Sequence, residues 1–184
     1  GLSSVVEMMI VKSSTVAQNW AVYHKDIGNQ YWLQLNSNVA KLGSNPWNST
    51  NPTNNVFSIG TGGVINTNNS INVAYCFTSI PGYSHVGSYL GLGGTTGNVV
   101  YVGFEPSFIL IKDSTYSGNW ALINNKTAPT NPRKTWIRPN LNLAEFTNSV
   151  DSMNFSSTGF QVSGTATSDF INRSGATFIF LAIA

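Results

Sequence analysis

A chain of 184 residues has room for one large domain or two small ones, each with a modest core. Only 9% of it is charged and the net charge is +2, against roughly 25% charged residues in an ordinary soluble domain; 23 asparagines and many serines, threonines and glycines carry the polarity instead. Disorder pairs low hydrophobicity with high net charge, and this chain has neither; nine bases without a cluster exclude nucleic acid as the main partner, because phosphate neutralisation needs many.

No window of helical length carries apolar residues at i, i+3, i+4 and i+7. Short apolar or alternating runs bounded by Asn, Gly, Ser and Thr recur instead, which predicts an all-β fold. In chain order, strands are expected at 7–12, 19–24, 31–36, 56–60 and 70–78. A glycine-rich joint follows at 79–98, read as a partly ordered bridging strand; its Tyr83, Ser88 and Tyr89 argue against a floppy linker. Further strands are expected at 99–104, 107–112, 119–124, 134–138, 152–155, 159–163 and 176–183. Met8–Val11 and Phe178–Ile183 are apolar on both faces, as central strands covered from two sides must be. No apolar run approaches the ~20 residues of a membrane-spanning helix.

The chain says nearly the same thing twice. Lys12-Ser13-Ser14-Thr15 leads to Asn19-Trp20-Ala21, and Lys112-Asp113-Ser114-Thr115 leads to Asn119-Trp120-Ala121, 100 positions later. Trp32 to Ala40 corresponds to Trp136 to Ala144, Phe57-Ser58-Ile59 to Phe160-Gln161-Val162, and the apolar run Val73 to Phe77 to Ile179 to Ile183. The offset drifts between blocks and hardly within them, as insertions in loops would leave it. The expected organisation is a first β repeat at 1–80, a Gly-rich connector at 81–98 and a second β repeat at 99–184. These are two tandem β-sandwich-like (jelly-roll-like) repeats packed together. Gly1-Leu2 aligns with Gly103-Phe104, so the chain is expected to begin inside its first repeat.

Side chains for chemistry are few. The acids are Glu7, Asp26, Glu105, Asp113, Glu145, Asp151 and Asp169, none paired at motif spacing. His24 and His85 are not at metal-ligand spacing, and Cys76 sits in an apolar run as a small hydrophobe. No metal, no cofactor and no catalytic residue is expected. The recurring Trp20, Trp120, Trp32 and Trp136 read as framework. Lys12 and Lys112 end equivalent strands, where they are either solvated edge charges or anion contacts. Trp47 stands alone in a loop-like stretch, Gly43 to Thr50, as an interface or packing residue or as a platform for a sugar; Tyr83 and Tyr89 join it as candidate binding residues.

Taken together, these blocks resemble a repeat domain found in virion proteins of tailed phages, particularly marine phages, which has no established biochemical role. The resemblance runs through Gly103-Phe104-Glu105-Pro106, Ile111-Lys112, Asn119-Trp120, Asn140 to Ala144, Gly159 to Val162 and Thr177 to Ala182. The join at Ala74 to Phe77, Gly82-Tyr83-Ser84 and Gly87 to Gly91 is similar to the family's connector. The first unit departs from the pattern at Ser3 to Val6 and lacks the leading strand that Val99 to Val102 supplies to the second. The resemblance implies a virion structural protein, a module of a tail fibre or spike or of a capsid fibre or decoration, with a role in host-surface attachment. Its implied partners are other virion proteins, its own copies (a trimer by the fibre analogy) and a host-surface glycan. No membrane insertion is implied. The competing expectation is a carbohydrate-binding module or a polysaccharide-degrading enzyme domain.

Overall fold

The computed structural model describes residues 4–94, 97–164 and 170–184. Gly1-Leu2, Ser3 and Asp169 therefore lie outside the described residues. Among those described there is no α-helix; one 3-10 turn, Lys25–Ile27, interrupts fourteen strands. In chain order these are β1 (Met8–Ser13), β2 (Ala21–His24), β3 (Tyr31–Gln34), β4 (Leu42–Gly43), β5 (Asn72–Phe77), β6 (Ser84–Leu90), β7 (Asn98–Tyr101), β8 (Phe108–Asp113), β9 (Ala121–Asn124), β10 (Thr135–Trp136), β11 (Phe146–Thr147), β12 (Ser152–Ser156), β13 (Gly159–Ser163) and β14 (Thr177–Ile183). They form antiparallel sheets ordered β4-β3-β2-β1-β5, β6-β14-β8-β9, β12-β13-β7 and β10-β11.

Strand alternation turns these sheets into a stack. Met8 and Ile10 of β1 face a core shared with Leu110 of β8 and Ile179 and Leu181 of β14. Ile109 and Ile111, with Phe178 and Phe180, point the other way and meet Met153, Phe155, Phe160 and Val162 of β12 and β13. Met9 and Val11 point outward from β1 and are covered by Trp47 and Ile65 of the long 44–71 loop. The order of layers is thus loop, five-stranded sheet, four-stranded sheet, three-stranded sheet. Met8–Val11 and Phe178–Ile183 are covered on both faces, as their double apolarity required.

The two halves differ in what covers them. The described residues of 98–184, with β6, form three sheets, of which the three-stranded one covers the four-stranded one, whereas among the described residues of 4–80 there is one sheet and its outer cover is loop. The strand expected at 56–60 is absent. Thr53 Oγ1 takes the N–H groups of Asn55 and Val56 in a side-chain turn, which withdraws them from any ladder. The joint holds a full strand: β6 pairs with β14 from Ser84↔Ile183 to Leu90↔Thr177.

Two of the recurring blocks of sequence carry recurring bonds. Met8↔His24 through Val11↔Ala21 on β1–β2 is repeated 100 positions later as Phe108↔Asn124 through Ile111↔Ala121. Asn36 accepts from Trp20 N–H at 3.0 Å and donates to Asn19 Oδ1 at 2.9 Å; Asn140 accepts from Trp120 N–H at 3.0 Å and donates to Asn119 Oδ1 at 2.8 Å. These clasps fix the entry of β2 and β9. Asn140→Ala leaves the N–H of the buried Trp120 without a partner and is expected to cost about 1–3 kcal/mol in urea unfolding. Asn36→Ala, beside the half-exposed Trp20, is expected to cost less because water replaces the amide.

Candidate functional site

The 44–71 loop that covers the outer face of the five-stranded sheet carries the candidate site. Its first residues are pinned by two indoles. Trp32 Nε1 donates to Ser44 Oγ at 2.7 Å, and Trp47 Nε1 donates to the carbonyl of Tyr31 at 2.9 Å. The Trp47 ring is 1% exposed and meets Tyr23 edge to face at 5.7 Å. Around the pins the backbone turns through the left-handed region at Asn45, Asn48 and Ser49, with φ of 52°, 54° and 48°. Asparagine tolerates this region better than most residues, and the Asn45 carboxamide accepts the Ser49 N–H in return. Gly60 packs against the same turn: a Cβ there would lie 2.5 Å from the Asn45 carbonyl.

This turn and the start of β3 enclose an open cleft of about 380 Å³ lined by Gln30, Tyr31, Gly43, Ser44, Asn45 and Ser49. Tyr31 is 39% exposed, and the Lys41 ammonium stands 4.8 Å from its ring centre. The lining offers amides, hydroxyls, main-chain groups and one aromatic face, with no carboxylate, imidazole or thiol. Such a surface can hydrogen-bond a neutral, hydroxyl-rich ligand and stack on it. Its serine hydroxyls have no imidazole, carboxylate or amine beside them in the lining to act as a base.

Titratable groups gather elsewhere, where the 3-10 turn meets β6. His24 is fully buried; its Nδ1 accepts the Asp26 N–H at 3.2 Å and its Nε2 faces the Phe180 carbonyl at 3.4 Å. Burial pulls its pKa down to about 4, against the opposing pull of Asp26. Burial likewise lowers that of His85, which stacks on Phe180. Both nitrogens of His24 face main-chain groups, so this imidazole braces two layers. Glu7 accepts from Ser79 N–H at 2.7 Å and from its hydroxyl at 2.5 Å. Asp113 caps the turn at Thr115 and Tyr116, and Asp151 accepts from Asn148 at 2.7 Å. Among the described residues no three potential metal ligands converge.

The residues singled out by sequence separate clearly. Buried Trp47 anchors its loop and offers a ligand no face. Tyr89 is also core: its hydroxyl donates to the Ile171 carbonyl at 2.7 Å and its ring stacks on Phe178 at 5.2 Å. Tyr83 is 58% exposed, beside a small apolar cleft with Cys76, Ile80 and Ile183. Trp32, Trp120 and Trp136 are buried; Trp20 is half-buried against the shared core. Trp120 Nε1 crosses between the halves to the Gln34 carbonyl at 2.8 Å. Lys112 is neither an edge charge nor an anion contact. It is fully buried, its ammonium donates to the Asp113 and Asn38 carbonyls, and burial lowers its pKa to about 8. Lys12, half-buried, donates to the Ser13 carbonyl at 2.7 Å. The sequence reading missed Tyr31. Its signal was the alternation that sends Tyr31 outward if Trp32 turns inward.

A family model described as Domain of unknown function (DUF7483) matches residues 1–184, and the chain belongs to that family. No curated protein and no solved structure matches it.

The buried His24 makes stability depend on pH. The unfolded chain takes up this proton near the ordinary 6.5 and the folded chain only near 4, so stability is full above pH 6.5 and falls as pH drops through that window. The loss attributable to His24 is expected to approach about 3 kcal/mol. Urea unfolding of wild type and His24→Gln between pH 7 and 4.5 checks it: the variant's stability falls less steeply.

Proposed function

We propose that this chain is a non-enzymatic structural and adhesive module of a phage particle, part of a tail fibre or spike or of a fibre or decoration on the capsid, and that the Tyr31 cleft contacts a host-surface glycan. The cleft carries this reading: an exposed aromatic ringed by amides and hydroxyls, with no carboxylate in the lining, on a protein with very little charge. The residue-level resemblance to virion repeat domains supports the particle. Sparse charge supports contacts that persist in high salt, where ion pairs are screened.

We read the halves as copies of one jelly-roll-like unit, the first having exchanged its second sheet for the 44–71 loop. The recurring register of β1–β2 and β8–β9 and the paired Asn clasps support the duplication. On this reading the framework is shared, and binding lies where the copies differ. Assembly with its own copies and with other virion proteins belongs to the same proposal. A free-standing carbohydrate-binding module is favoured by the same cleft. A polysaccharide-degrading domain would need two converging carboxylates.

Two measurements separate the parts of this proposal. Gold-labelled antibody against the chain should decorate intact particles in electron micrographs, and bare particles would end the virion assignment. The purified chain should be retained on a glycan array, with Tyr31→Ala weakening binding roughly tenfold, the loss of one stacked ring at ~1.4 kcal/mol. Trp47→Ala should unfold at lower temperature through loss of the loop's anchor. Retention unchanged by Tyr31→Ala would remove the cleft from the function.

A further inference from the structure

β5 and β14 hold matching places beside β1 and β8: Met8↔Phe77 through Ser13↔Asn72 on one, Phe108↔Ile183 through Asp113↔Phe178 on the other. Their outer edges are treated differently. β14 carries β6 along its whole length, whereas β5 ends its sheet. The bond from Ser14 N–H to the Ile71 carbonyl sets the phase of the ladder. Ile71, Val73 and Tyr75 aim their main-chain groups at β1, and Asn72, Ala74 and Cys76 aim theirs away. The matching outward groups of β14, on Phe178, Phe180 and Ala182, face Tyr89, Gly87 and His85 of β6. Among the described residues, the N–H groups of Asn72, Ala74 and Cys76 have no partner.

Exposed edges are usually blunted by charge, proline or brevity. β4, at the other end of this sheet, has only two residues. On β6, the Val86 N–H is taken by Ser79 Oγ at 3.0 Å. β5 has none of these defences: its six residues, Asn-Val-Ala-Tyr-Cys-Phe, include no charge, proline or glycine. Apolar side chains are exposed along it, with Ile71 65%, Val73 44% and Tyr75 51% accessible. Apolar clefts flank its Cys76 end, one against Val56 and Phe57 and one against Ile80 and Tyr83.

We infer that the open edge of β5 pairs with β5 of a second copy of this chain, antiparallel about a two-fold axis through Ala74. The strand is complementary to itself in this register. Ala74 faces Ala74 and Asn72 faces Cys76, so every outward main-chain group meets one of the opposite kind, for about six hydrogen bonds. Val73 then faces Tyr75 twice on the same face, a β-branched residue against an aromatic, which is a favourable cross-strand pair. The two five-stranded sheets become one continuous sheet. The contact is isologous, in place of the three-fold assembly expected by the fibre analogy. It follows from the strand's geometry and holds whatever structure the chain belongs to.

Sedimentation of the purified chain at micromolar concentration tests it. A dimer is expected whose dissociation constant barely changes with salt. Tyr75→Lys should weaken it about tenfold or more, while Tyr101→Lys, at a site 73% exposed on β7, should leave it intact. The register has its own readout. Paired Ala74 residues place their Cα atoms about 5.5 Å apart, within disulfide reach, so Ala74→Cys in a Cys76→Ser background should oxidise to a covalent dimer. A monomer at high micromolar concentration would overturn the inference. So would a dimer indifferent to Tyr75→Lys and uncrosslinked at position 74. Binding of a synthetic Ser84–Leu90 peptide to a monomer would instead assign the edge to a foreign strand.

Discussion

The fold depends on one apolar contact, the face that the five-stranded and four-stranded sheets present to each other. Met8, Ile10, Val22 and Leu33 come from one side, and Leu110, Ile179, Leu181 and Val86 from the other. A strand has two faces, so committing one face of β1, β8 and β14 to this contact leaves an equally apolar face uncovered on each. The chain must supply further layers. It places the β12-β13-β7 sheet on one side and the Trp47 loop on the other. At ~1.5–3 kcal/mol for each large apolar side chain fully buried, neither outer layer is dispensable. The Trp47 loop is therefore held by the core before it serves any ligand.

Close packing of layers creates a second demand, because main-chain and side-chain polar groups at the seam lose water. Neutral donors and main-chain carbonyls meet much of it. The Trp120 indole reaches the Gln34 carbonyl across the halves, and Asn38 receives both the Gly118 N–H and the Lys112 ammonium. His24 fills the same role while uncharged. Lys112 shows why the polarity is neutral: burial, helped by the Arg173 charge, draws its pKa down to about 8, so each buried charge costs stability that an amide does not. Sparse charge and abundant asparagine in the composition are the outward sign of this construction.

What was legible in the sequence was what is local and periodic. Double apolarity marked the doubly covered strands, and recurring Lys-x-Ser-Thr and Asn-Trp blocks marked turns that carry the same bonds. What was not legible depended on partners distant in sequence. Gly87 read as a turn glycine of the joint, yet it lies within β6 opposite Phe180, whose ring would stand 2.9 Å from a Cβ there. That glycine marks close packing, and a turn signal cannot be told from it by composition. Trp47 left packing, interface and sugar platform all open because nothing local reveals the sheet beneath. Lys112 read as a solvated edge charge or an anion contact because the Asn38 carbonyl that meets its ammonium is far away in sequence.

The same reasoning explains why the most distinctive surface lies beside the buried tryptophan. A loop that covers a sheet must be held rigid without a ladder, and here two indole N–H groups and a run of left-handed residues do so. Rigidity fixes the polar groups of Asn45, Ser44 and Ser49 relative to Tyr31 before any ligand arrives, which lowers the ordering entropy a binder would otherwise lose. A second β-sheet in that place would have turned these main-chain and amide groups toward neighbouring strands. A pinned loop leaves them facing solvent. The strain at Asn45, Asn48 and Ser49 is borne by the Trp47 anchor, so packing below and polar display above are one arrangement.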